Sequence, residues 1–115
     1  MSNDTTFLAG LGNLPLRIER AFRPWSYSVS HRRLVLRTWD DGADGALEVE
    51  FLNVAAMKVR RSFDELRIVR AGEAPEIEEF ADIPERNREI YHTLLLSDAT
   101  HEGFVVCGGM RVLRI

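Results

Sequence analysis

The chain has 115 residues, 45% hydrophobic and 29% charged, with a formal net charge of −3 and a single cysteine. That length suits one domain with an ordinary hydrophobic core, and no apolar run approaches the ~18 residues a membrane span needs. The acidic balance gives no electrostatic reason to expect nucleic acid, and one cysteine cannot form an internal disulfide, so a cytoplasmic protein is expected.

The first fifteen residues contain Gly10, Gly12 and Pro15, keep no sustained period and lack the basic start of a secretory signal. They are expected to form a flexible N-terminal arm (1–15), with a single β-rich domain over 16–115. Residues 16–22 read as a short strand or turn. Trp25, Tyr27 and Val29 then alternate with Ser26, Ser28 and Ser30, which predicts a strand with its aromatic face buried. A second strand follows at 34–39. Asp40-Asp-Gly-Ala-Asp-Gly45 is hairpin-turn chemistry. In the third strand Leu47, Val49 and Phe51 point one way and Glu48 and Glu50 the other, so its register should be well specified.

Asn53 interrupts that run, and residues 54–61 are assigned to a further strand because they lie between two β runs. Ser62-Phe-Asp-Glu65 has capping-box spacing and predicts one helical turn before a strand at 66–70. Pro75 followed by Glu76-Ile-Glu-Glu-Phe-Ala81 suits a short amphipathic helix ended before Pro84, the alternative being an acidic loop over 73–89. Residues 90–96 and 103–107 are strands around a polar turn. Gly108-Gly109 either turns a hairpin, setting Cys107 opposite Met110, or marks a bulge in one long strand. The fold class is therefore mainly β: an antiparallel sandwich, rolled sheet or barrel of about 6–8 short strands with at most one or two short helices.

Candidate chemistry is sparse. Cys107 lies in an apolar run, where a thiol is buried and unreactive, and no nucleophile signature surrounds it. His92, His101 and Cys107 do not have the paired spacings of a zinc site. Asp40, Asp41 and Asp44 fail as a calcium loop, because the position needing a final oxygen ligand is Phe51. No phosphate-binding glycine motif occurs. No cofactor or metal is expected.

Binding is the better prospect. Arg17, Arg20, Arg23, Arg32, Arg33 and Arg37 crowd the first third, whereas acidic residues crowd 73–89. The candidate binding residues are Trp25, Tyr27, His31, Arg32, Arg33 and Trp39. Side chains at strand junctions project from a rigid scaffold, and arginines there can grip a carboxylate or phosphate through two parallel hydrogen bonds.

Trp25-Ser-Tyr-Ser-Val-Ser-His-Arg-Arg-Leu-Val-Leu-Arg37, the acidic turn, the alternating strand and Gly103-Phe-Val-Val-Cys-Gly-Gly together resemble small uncharacterised bacterial proteins. That resemblance implies a compact β-rich domain of the kind found as single-domain immunity or accessory proteins, and it implies no catalytic residues. The expected function is a non-enzymatic binding domain that engages a protein partner, with self-association through the edge of the C-terminal strand as an added possibility. The alternative is a small-ligand-binding or enzymatic β barrel using His31, His92 or His101.

Overall fold

The computed structural model describes residues 5–39, 42 and 45–115. The strands are β1 (Thr6–Gly10), β2 (Leu16–Ile18), β3 (Phe22–Ser28), β4 (Arg33–Thr38), β5 (Leu47–Lys58), β6 (Leu66–Arg70), β7 (His92–Ser97) and β8 (Glu102–Arg114). One helix, α1 (Pro75–Ala81), and short 3-10 segments at Leu11–Asn13 and Glu85–Ile90 complete the described elements. All eight strands join one antiparallel sheet in the order β2-β6-β7-β8-β5-β4-β3, with β1 also paired to β8. The expected mainly-β antiparallel architecture is present, as a rolled sheet that does not close into a barrel.

The roll begins at one point in the two longest strands. In β5, Val49 and Phe51 face the core, and so does Val54, so the alternation changes sides between them. Asn53 makes the change, with a left-handed φ of +53°. Its neighbours in β8 do the same: Val105 and Cys107 face inward on one side of Gly108-Gly109, and Met110 and Val112 on the other. The register is the same on either side of this point, from Leu52↔Gly109 to Val54↔Cys107, and shifts at an irregularity between Val54 and Ala56.

Of the two alternatives, Gly108-Gly109 is therefore not a hairpin but lies within one long strand, and Cys107 pairs with Val54 and His92 rather than with Met110. Neither glycine has the positive φ that a tight hairpin would use. Gly108 is small for a packing reason: a Cβ there would lie 3.2 Å from Asn53 Nδ2.

The bend divides the sheet into two halves whose apolar faces share one core. Phe22, Leu36 and Phe51 come from the first half, and Phe63, Ile68, Leu94 and Val105 from the second. Each such buried side chain contributes roughly 1.5–3 kcal/mol through burial. Phe22 and Phe63 also exchange backbone hydrogen bonds of 2.9 and 2.8 Å, tying the end strand β3 to the segment between β5 and β6. That bridge occupies the segment expected to form a helical turn at 62–65, and no helix forms there.

Three further expectations are corrected. Residues 6–10, assigned to the arm, form β1 because the C-terminal half of β8 offers it a free ladder. The C-terminal strand is central rather than an edge, held by β5 on one side and by β7 and β1 on the other. The aromatic side of 25–29 is not buried: Trp25, Tyr27 and Val29 are all exposed, because β3 ends the sheet and has a bulge between Pro24 and Ser26. The helix predicted at 75–81 is present, with Pro75 at its start and Asp82, at φ +48°, ending it. Of the acidic turn at 40–45, Asp40, Asp41, Ala43 and Asp44 lie outside the described residues.

The two halves differ on their outer sides. Helix α1 packs on the second, where Phe80 meets Phe104 edge-to-face at 5.8 Å. No helix covers the outer side of the first half among the described residues, where Trp25 and Trp39 are exposed while Val35 and Glu50 are buried.

Candidate functional site

Residues directly opposite each other in an antiparallel ladder project to the same side of the sheet. Arg23 pairs with Arg37, Arg37 with Glu48, Glu48 with Leu113, and Leu113 with Phe7. This chain of partners crosses β3, β4, β5, β8 and β1 and defines one row on the outer face of the first half. Core residues such as Leu36 and Val49 project the other way.

Two tryptophans join that row. The Arg23 guanidinium lies 5.3 Å from the Trp25 ring centre and 4.3 Å from that of Trp39. Arg37 lies over Trp25 at 4.8 Å. Two neighbouring arginines are tolerated here because indole faces attract cations and Glu48 is 3.8 Å from Arg37. Trp25 is 51% exposed, Trp39 52% and Phe7 62%. Single exposed apolar residues need no explanation, but several on one face do.

The next row carries a buried charge. Val35 pairs with Glu50, and Glu50 with Arg111. Glu50 accepts hydrogen bonds from Arg111 Nε at 3.1 Å and Nη2 at 2.9 Å, with Arg33 3.8 Å away. Burial raises the Glu48 carboxyl above its usual range, and Arg37 opposes that shift. Both described carboxylates of the face thus face arginines. Arg23 is different. It has no ion pair among the described residues, and its buried Nε has no hydrogen-bond partner.

Of the six residues expected to bind, Trp25 and Trp39 are brought together on this face, and Arg33 borders it through Glu50. Tyr27 and Arg32 instead line a separate cleft of about 440 Å³ with Asp82 and Tyr91. His31 sits in the exposed β3–β4 turn beside the hydroxyls of Ser28 and Ser30, at 3.2 and 3.1 Å.

The histidines occupy three separate places. His92 accepts from Arg70 Nη1 at 2.9 Å, and burial together with the Arg70 charge lowers its pKa. His101 lies in the β7–β8 turn against Thr100 and Asp98. Cys107 is fully buried, and burial pushes its thiol up to about 12. Among the described residues no group of three or more His, Cys, Asp or Glu is placed to hold a metal ion, and no helix is long and apolar enough to cross a membrane.

Sequence reasoning missed Arg23 and Arg37 as parts of the site. A signal was available: Arg23-Pro-Trp25 and Arg37-Thr-Trp39 repeat the same Arg-x-Trp spacing, which on a strand puts both side chains on one face. Phe7 and Leu113 had no comparable signal, since they join the face only through long-range pairing. No known protein family, curated protein or solved structure matches the chain.

Proposed function

We propose that this protein is a non-enzymatic interaction domain that engages a protein partner through the outer face of β3, β4, β5, β8 and β1. One observation carries the reading: a single sheet face sets Trp25 and Trp39, both exposed, against Arg23 and Arg37, with exposed Phe7 at the far end of the same row. Tryptophan and arginine are the residues that most often dominate binding energy at protein interfaces, and a rigid sheet presents them at little entropic cost. The resemblance to small bacterial immunity or accessory proteins, and a cytoplasmic setting, accord with a domain whose work is binding.

The test is site-specific photocrosslinking from positions 25 and 39 in the producing cell, with Val69 on the other half as control. A partner captured from 25 and 39 but not 69 is then purified and titrated. Trp25→Ala or Trp39→Ala should each weaken its binding by about 2 kcal/mol, the scale of an interface hot spot. Crosslinks arising equally from position 69, or affinity unchanged in both variants, would overturn the reading.

A small-ligand reading has one observation in its favour, the cleft holding Tyr27, Arg32, Asp82 and Tyr91. The cleft is within the size range of ligand sites, roughly 300–1,000 Å³. It contains none of His31, His92 and His101.

A further inference from the structure

The environment of Arg23 specifies what a partner must bring to this face. A guanidinium stacked on aromatic rings uses its flat sides, while its N–H donors lie in the plane and stay available. Arg23 lies against both Trp25 and Trp39, and its buried Nε has no hydrogen-bond partner among the described residues. Arg67 also has an unpartnered Nε, but its guanidinium is neutralised by Glu65 at 2.7 Å. Arg23 combines a charge with no ion-pair partner among the described residues and a side chain positioned by two indole rings, so its terminal Nη groups are the donors a partner would meet. We propose that Arg23, framed by the two tryptophans, receives the carboxylate of an Asp or Glu side chain from a protein partner. This inference rests on the interaction-face reading above.

The surroundings favour a single carboxylate over other occupants. Glu48 and Glu50 stand two strands away on the same face, in a protein of net charge −3, and disfavour the continuous phosphates of a nucleic acid. A second copy docked face to face about a two-fold axis through Arg23 would set the same arginine pair against itself. Strand addition along β3 is hindered by Pro24 and the bulge beside it.

The chain has two tryptophans, and both flank Arg23, so intrinsic fluorescence reports on this site alone. The probes are a synthetic Glu-rich peptide with one Leu, its Gln-for-Glu counterpart and an oligothymidylate. The Glu peptide should bind saturably and change the tryptophan emission, with the Gln peptide weaker by about tenfold or more. Arg23→Gln should reduce Glu-peptide affinity to the Gln-peptide level and leave Gln-peptide binding unaltered. Arg23→Lys should recover only part, since an ammonium lacks the planar fork. It also serves as the variant if Arg23→Gln does not fold.

Equal binding of Glu and Gln peptides, lost in Trp25→Ala, would overturn the carboxylate and leave the interaction face standing. No binding of either peptide at millimolar concentration, together with failure of the crosslinking test, would overturn both. Tighter binding of the oligothymidylate, or self-association that buries both tryptophans, would overturn the carboxylate in favour of those occupants.

Discussion

Asn53 and Gly108 meet at the point where the two longest strands bend, with the Asn53 side chain filling the space a Cβ on Gly108 would need. That Cβ would lie 3.2 Å from Asn53 Nδ2, 3.3 Å from its Cβ and 3.5 Å from the Ile90 carbonyl oxygen. Asparagine tolerates the left-handed φ of +53° better than most residues, and glycine opposite leaves it room. The pair sits at the bend, with β5 and β8 in the same register on either side of it, from Leu52↔Gly109 to Val54↔Cys107.

Substitution here should reveal coupling. Gly108→Val should destabilise by about 1–3 kcal/mol through overpacking, and Asn53→Gly should be close to neutral because glycine accepts positive φ. In the Asn53→Gly background the cost of Gly108→Val should shrink, since the side chain it meets is gone. Gly103→Ala should cost more than Gly108→Ala, because its Cβ meets the Lys58 backbone carbonyl rather than a side chain. Urea denaturation of the single and double variants checks all of these; strictly additive costs would contradict the contact.

Cys107 should be inert in the native protein. Its thiol is fully buried and pushed from an ordinary 9.0 up to about 12. A folded pKa above the unfolded value leaves stability intact below pH 9 and withdraws it as pH rises from 9 towards 12. Labelling by an aromatic disulfide at neutral pH should proceed only at the rate of unfolding. Cys107→Ser should cost about 1–3 kcal/mol by burying a hydroxyl, and should flatten the alkaline decline in stability. Rapid labelling of the native protein would contradict the buried assignment.

Acid should unfold the protein partly through Asp98. Its carboxylate accepts from the backbone N–H groups of Asp64 at 3.0 Å, Thr100 at 2.9 Å and His101 at 2.7 Å. Those bonds, led by that from Asp64, hold the group well below its ordinary 3.8. A depressed folded pKa gives stability that is present above about pH 4 and lost as pH falls below it. Glu65, held down by the hydrogen bond from Arg17, loses stability in the same direction. Asp98→Ala should cost about 1–3 kcal/mol at neutral pH by orphaning backbone donors, and should flatten the stability curve between pH 4 and about 2. Stability followed by circular dichroism across that range checks it.

The Glu50–Arg111 pair should be easier to replace than to halve. Arg111→Ala leaves the buried carboxylate with only Arg33, at 3.8 Å, and should cost about 1–3 kcal/mol, moderated because Arg111 is itself half exposed. Glu50→Leu with Arg111→Met should be closer to the parent in stability than Arg111→Ala, since no unpaired charge remains. Thermal unfolding of the three proteins gives the comparison.

The strands were legible where alternation was clean and both neighbours were in place, as at 47–51. The α1 helix was legible from Pro75 and the spacing of Ile77 and Phe80. At 25–29 the same alternation misled, because period two shows which residues share a face and not whether anything covers it. Ser62–Glu65 misled in another way: a local capping signal lost to the long-range bridge between Phe22 and Phe63.

By itself, then, the sequence determined a mainly antiparallel β domain and the poor prospects of Cys107 as a nucleophile, and it offered the short helix after Pro75 as one of two alternatives, since these follow from local pattern and side-chain chemistry. Tertiary structure alone decided that Gly108-Gly109 continues a strand, that β8 is central, and that Arg23 stands between two tryptophans. Those outcomes depend on pairing between distant segments, where the energy of a contact is set by which strand arrives opposite and not by the residues next along the chain.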